Sequence, residues 1–244
     1  MTNPEFSQNR NSHSPKGPSK RQAALALLLL VPAPSLGVAF GMWMPETRGT
    51  PLGQGLYFFS KLWILALPLL WTAFVDRARF SWSPPKGGFA FGLYSGLLIG
   101  SAIIAVYLLL GHQLIDVSQV RSAAQTNGIA DPLRYIGLAA YLSLINAVLE
   151  EYVWRWFVFK KSERLWGAKA AVFASAFFFT LHHIWALKAQ FNLTVTALCA
   201  VGVFVGGVIW SWTYDRFRSI WPGYLSHALV DIAIMLVGYH LIFG

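Results

Sequence analysis

The chain has 244 residues, of which 56% are hydrophobic and only 12% charged, with a net charge of +9. A soluble domain usually carries about twice that charge, so the composition excludes an ordinary soluble domain. The basic residues lie between long apolar blocks and form no basic-aromatic pattern, so no nucleic acid is expected as a partner. The single cysteine, Cys199, allows neither an internal disulfide nor a cysteine-based zinc site.

Taken in chain order, residues 1–21 are polar, basic and rich in Ser, Asn and Pro, which predicts a disordered cytoplasmic tail. A cleaved signal peptide competes for this segment. The apolar stretch that follows, 23–44, is long for a signal core and ends without a small-x-small cleavage site. An uncleaved first span is therefore predicted, bent by Pro32 and Pro34. Further apolar blocks fall at 54–75, 88–111, 133–158, 168–187, 193–213 and 220–243. Each is near the roughly 20 residues that cross a bilayer as a helix. The predicted fold is thus all-α: a polytopic transmembrane bundle of about seven spans over residues 22–244.

Charge between the spans sets the expected orientation. Arg10, Lys16, Lys20 and Arg21 precede the first span. Arg77, Arg79 and Lys86 follow the second, Lys160, Lys161, Arg164 and Lys169 the fourth, and Arg216 and Arg218 the sixth. The alternate connections carry little positive charge. The positive-inside rule then puts the N-terminus in the cytoplasm, with the plasma membrane as the simplest host.

Ionisable groups inside a span are costly and mark function by default. They cluster in three places. Glu150, Glu151 and Arg155 lie in the fourth span; Glu151 and Arg155 are four apart and share a helix face. Glu150 is rotated about 100° away and faces something else. His182 and His183 lie late in the fifth span, and their divergence predicts that one of them shares a site with Glu150. His227 and Asp231, again four apart, stack on one face of the seventh span.

Depth links these groups. The fourth and fifth spans are expected to form a hairpin turning near Trp166-Gly167. Glu150 and His183 are each about 16 residues from that turn, or roughly 24 Å along a helix, and are expected to meet. Such a set can activate water. Glu150 can act as general base beside His183, while His227 and Asp231 position the scissile carbonyl or its oxyanion. Alternatively, Glu150, His183 and His227 can hold a zinc ion whose water attacks the same bond. No HExxH is present.

Glu150-Glu151…Arg155, Phe179…His183 and His227…Asp231, each in its own predicted span, resemble the three motifs of the CPBP family. This family comprises CAAX prenyl endopeptidases of the second type and bacteriocin-processing (Abi) proteins. The resemblance covers about 135–240. It implies an intramembrane protease acting on membrane-associated or lipid-anchored peptides in the bilayer. It implies Glu150 as principal catalytic carboxylate and His183 as its partner on water. His227 and Asp231 would complete the oxyanion side, with Glu151 and Arg155 in support. A metal-free, glutamate-dependent scheme is favoured over zinc, because the site lacks a tidy ligand triad with a separate base. Asp231 stands where the motif has Asn or Asp, and Phe178…His182 repeats the spacing of Phe179…His183. Two other functions are compatible with these residues: an idle scaffold or bacteriocin-immunity protein, and a proton- or ion-coupled transporter.

Overall fold

The computed structural model describes residues 19–78, 83–84 and 86–244. The expected tail lies outside them as far as position 18, as does Arg79. Lys20 and Arg21, assigned to that tail from sequence, instead form the first turn of a helix. Ser19 starts it with a capping box, its hydroxyl accepting from the Gln22 amide while the Gln22 side chain accepts from the Ser19 amide.

Eight helices follow one another: α1 (Lys20–Trp43), α2 (Pro51–Val75), α3 (Phe89–Leu114), α4 (Val117–Thr126), α5 (Pro132–Trp166), α6 (Ala168–Lys188), α7 (Leu193–Phe217) and α8 (Trp221–Phe243). All except α4 are long and apolar enough to cross a membrane, which gives the seven spans expected. The described residues contain no strand. The chain is an integral membrane protein. Phe74, Leu98, Leu109 and Leu236 stand exposed on the outside of the bundle, where lipid covers them.

Prolines interrupt α1 as anticipated. The regular helix breaks at Val31, because Pro32 and Pro34 have no N–H to continue the ladder. The short α4 was not anticipated from hydropathy. Its signal is Asp116, whose carboxylate accepts from the Ser118 and Gln119 amides at 2.9 and 3.2 Å. Asp131 caps α5 in the same way, accepting from the Arg134 amide at 2.9 Å, with Pro132 next in line.

Two close packings fix the elements that carry the site. Gly92, Gly96 and Gly100 on α3 let α8 approach along Pro222, Ser226 and Ala233. Lipid gives helices no hydrophobic reason to associate, so such small-residue seams supply the contact. Ser95 Oγ and Trp210 Nε1 both reach Ser226 Oγ at 3.0 Å, which ties α3, α7 and α8 together one residue before His227. On the other side, Gly207 of α7 sits against Ala176 and Phe179 of α6.

Helix α5 runs for 35 residues, about 50 Å at 1.5 Å per residue, against a hydrocarbon core of about 30 Å. Its charged end, Lys160 to Arg164, therefore extends past the apolar core. Gly167 closes the α5–α6 hairpin with φ 82° and ψ 166°, a conformation essentially confined to glycine. Buried Lys161 pairs with Asp76 at the end of α2. Arg218 grips Glu163 with two bonds of 2.9 and 2.8 Å.

Candidate active site

The residues of the site come from three helices, and α5 supplies the most. Its ladder turns π-helical over Tyr141–Asn146 and again over Tyr152–Phe159. The five α-helical residues between, Ala147–Glu151, include both glutamates. Each π stretch admits extra residues per turn and so re-aims the side chains beside it.

Glu151 has no exposed surface, and its Oε1 lies 3.2 Å from Arg155 Nη1, as the i,i+4 spacing required. The same oxygen meets His227 Nδ1 at 3.1 Å, which joins α5 to α8. Arg155 is equally buried, and none of its nitrogens makes an aligned hydrogen bond among the described residues. Its contact with Glu151 is thus an ionic approach. Its guanidinium also lies over the faces of Phe179 and Trp210, at 4.6 and 5.2 Å from their centroids. Gly223 is the close approach that admits Glu151 to the start of α8: a Cβ there would stand 2.7 Å from Glu151 Oε2.

Glu150 is turned from Glu151, yet it does not leave His227 behind. Glu150 Oε2 lies 3.6 Å from His227 Nε2, so the two adjacent glutamates flank opposite edges of one imidazole. Asp231 completes the ring, with Oδ1 3.8 Å from the same Nε2. The His227 ring stacks on Trp210 at 4.0 Å and 14° and is edge-on to Phe179. Asn146 lies one turn before Glu150, with its amide near the carboxylate.

Both histidines of α6 reach Glu150. One ligand atom each from Glu150, His182 and His183 fall within 4.8 Å of one another. The expectation that only one would do so is corrected. Adjacent helical residues diverge at Cα, but the two rings swing together to a centroid separation of 4.1 Å. Their surroundings differ. His183 Nδ1 is 2.9 Å from the Phe179 carbonyl oxygen. A carbonyl only accepts, so Nδ1 carries the proton and Nε2 keeps its lone pair. His182 stacks flat on Trp154 at 5.3 Å, and its Nδ1 has no hydrogen-bond partner among the described residues.

Electrostatically, three carboxylates (Glu150, Glu151, Asp231) gather in a low-dielectric interior with one buried guanidinium. A second cation acts on Glu150, His182 and His183 from α2, namely Lys61. One further proton within the cluster makes it neutral, which is what the high cost of net buried charge requires. Lys61 went unremarked in the sequence, although a lysine ten residues inside an apolar span is itself the signal. Asn146 and Trp210 carried no sequence signal.

The fit to zinc can be judged from the donors. The three atoms that converge come from Glu150, His182 and His183, whereas sequence named Glu150, His183 and His227. A tetrahedral ion with bonds of about 2.0–2.1 Å holds its ligand atoms about 3.4 Å apart, and the three converging atoms lie within 4.8 Å of one another. Zinc-bound histidines also donate their second N–H to an acceptor. His183 does so, but His182 Nδ1 does not. The converging atoms could therefore hold an ion, without the acceptor behind His182 that a zinc-bound histidine uses.

Comparison with known proteins adds one decisive observation. Residues 132–233 match the family of Rce1-like type II CAAX prenyl endopeptidases. This stretch is an Rce1-like domain. It contains Glu150, Glu151, Arg155, His182, His183, His227 and Asp231, and it begins at the capped start of α5 and ends within α8. The resemblance drawn from the three motifs is thereby shown, and the Rce1-like stretch supports a CAAX-type intramembrane protease. No curated protein and no solved structure gives a significant match. Lys61 lies on α2, outside the Rce1-like stretch.

Proposed function

We propose that the protein is an intramembrane endopeptidase that hydrolyses peptide bonds of lipid-anchored substrates with a water held between Glu150 and His183. The observation that carries this reading is the pairing of the Glu150 carboxylate with an imidazole whose tautomer is set by the Phe179 carbonyl. Two hydrogen bonds of about 2.8 Å meeting at one water span about 4.5 Å, which fits inside the 4.8 Å within which these atoms gather.

In the reaction, the water gives one hydrogen bond to His183 Nε2 and its other proton to Glu150. Its oxygen attacks the scissile carbonyl carbon. The developing oxyanion falls toward His227, whose Nδ1 is engaged by Glu151 while its Nε2 edge keeps 3.6 and 3.8 Å from Glu150 and Asp231. Those separations are too long for strong hydrogen bonds, so an Nε2–H remains free to donate to the oxyanion. Glu150 then delivers its proton to the leaving nitrogen as the C–N bond breaks, giving a carboxylic acid, which keeps the water's second proton, and an amine. Asp231 and the Glu151–Arg155 pair position His227 and touch no reacting atom. The scheme needs no metal.

An apolar groove of about 400 Å³ lies against α5 at Val148, Leu149 and Tyr152, with Leu65, Leu69 and Trp221 on its other walls. It supports a substrate that brings a hydrocarbon chain, such as a prenyl group, alongside the bond to be cut. The distribution of Lys and Arg supports a cytoplasmic N-terminus and cleavage near the cytoplasmic leaflet.

The test is cleavage of a quenched, S-farnesylated peptide by purified protein in detergent, with and without a zinc chelator. Glu150→Gln and His183→Ala are each expected to lower kcat by about 10²–10⁴-fold while the protein stays monodisperse. Wild-type cleavage should survive chelation. Full activity in Glu150→Gln would sink the assignment, and loss of activity to the chelator with recovery on zinc would sink the metal-free scheme.

A further inference from the structure

Lys61 is a cation held by no direct ion pair among the described residues. Its ammonium is in the second span, 5.5 Å from the Tyr57 ring centroid, and makes no ion pair within 4.0 Å among the described residues. Lys61 stands one turn before Leu65, whose carbonyl accepts from the Tyr152 hydroxyl of α5 and whose side chain lines an apolar groove with Val148 and Leu149. A half-buried lysine midway along a span is costly and is ordinarily kept for an anion that comes and goes. The other cations are committed: Arg155 is fully buried against Glu151, and Lys161 is bound to Asp76.

We propose that Lys61 receives the C-terminal carboxylate of the substrate, and so confines cleavage to bonds a few residues from a chain end. This rests on the reading of the site as a peptidase. A bond cut inside a C-terminal C-a-a-X motif leaves at most three residues on the departing side. Three extended residues reach about 10 Å. A carboxylate at that remove from Glu150 and His183 needs a cation that is near the site but not against it. Lys61 meets that condition, and its long stem lets the ammonium move to meet the anion. A prenyl chain in the groove lined by Leu65 and Leu149 and a carboxylate on Lys61 would engage α2 at two points one turn apart, with the scissile bond between the two anchors.

The experiment compares two farnesylated, quenched peptides of identical sequence, one ending in a free carboxylate and one in a carboxamide. Full-length wild type, Lys61→Met, Lys61→Gln and Lys61→Arg are assayed in detergent. Wild type is expected to favour the acid by about 10-fold or more in kcat/KM, the size of one charge-assisted contact. Lys61→Met and Lys61→Gln should bring acid and amide to parity, and Lys61→Arg should keep a preference for the acid. A purely electrostatic action of Lys61 on Glu150 would lower both peptides equally and leave their ratio unchanged; that result overturns the proposal. So does a wild type that cuts both peptides equally well, which leaves the peptidase reading standing. A folded wild type that cuts neither peptide overturns the peptidase reading and this inference with it. Should Lys61→Met fail to fold, the glutamine and arginine variants carry the comparison.

Discussion

Glu151→Gln tests the centre of the polar cluster. The substitution keeps shape and removes one charge. Glu151 Oε1 is shared by Arg155 Nη1 at 3.2 Å and His227 Nδ1 at 3.1 Å, and both Glu151 and Arg155 have no exposed surface. Arg155 has no hydrogen-bond partner to fall back on among the described residues, only the faces of Phe179 and Trp210. Stranding a buried cation by removing its partner costs about 3–5 kcal/mol. Replacing both members of such a pair by apolar or neutral groups costs far less, because the desolvation penalty disappears with the charge. The expectation is therefore asymmetric. Glu151→Gln unfolds well below wild type in detergent, followed by near-UV circular dichroism, and Glu151→Gln with Arg155→Met recovers most of the loss. Peptide cleavage does not recover with it, since His227 still lacks the carboxylate that orients Nδ1. If Glu151→Gln melts within about 0.5 kcal/mol of wild type, the size of an ordinary surface change, the pair is not coupled and the account of the cluster fails.

Three further outcomes are expected. Gly223→Ala puts a Cβ 2.7 Å from Glu151 Oε2; because Arg155 and His227 pin that carboxylate, the strain should cost about 1–3 kcal/mol and reduce cleavage, both read in the same two assays. Glu163→Ala removes the doubly bonded partner of Arg218, whose side chain is 45% exposed, so unfolding should shift by less than about 1 kcal/mol. The Ser118 hydroxyl and Gln119 amide hold the Asp116 carboxyl below the usual carboxylate range. Its cap is therefore fully present above the ordinary value of about 3.9 and is lost as pH falls through the lowered folded value. Amide exchange at Ser118 and Gln119, corrected for intrinsic rate, should show protection falling in that acidic window, and constant protection there would refute the cap.

Much of this was legible in the sequence because hydropathy and charge act locally. The seven spans follow from apolar blocks whose ends shift by only a few residues in the structure, apart from α5, which runs on from 158 to Trp166. The α5–α6 hairpin followed from Trp166-Gly167, and equal distances from that turn brought Glu150 to His183. What escaped were contacts that depend on helix rotation and on neighbours far along the chain. The Glu151–His227 bond joins residues 76 apart. The stack of His227 on Trp210 depends on how α7 and α8 pack, which no local pattern reports. Helix α4 was hidden because its signal is Asp116 capping a polar segment, whereas the search for spans weighs only apolar length.

The divergence of Glu150 from Glu151 shows most clearly what spacing misses. At 100° per residue, adjacent glutamates on a regular helix address different neighbours. In the structure the two glutamates instead hold one imidazole from both edges, Glu151 at Nδ1 and Glu150 at Nε2. The helix that presents them is α-helical for just five residues between π-helical stretches. Such stretches are unfavourable in themselves and persist where a side chain must be aimed. A carboxylate pair converging on His227 therefore needs both the π-interrupted α5 and the Gly92-Gly96-Gly100 seam that draws α8 against α3.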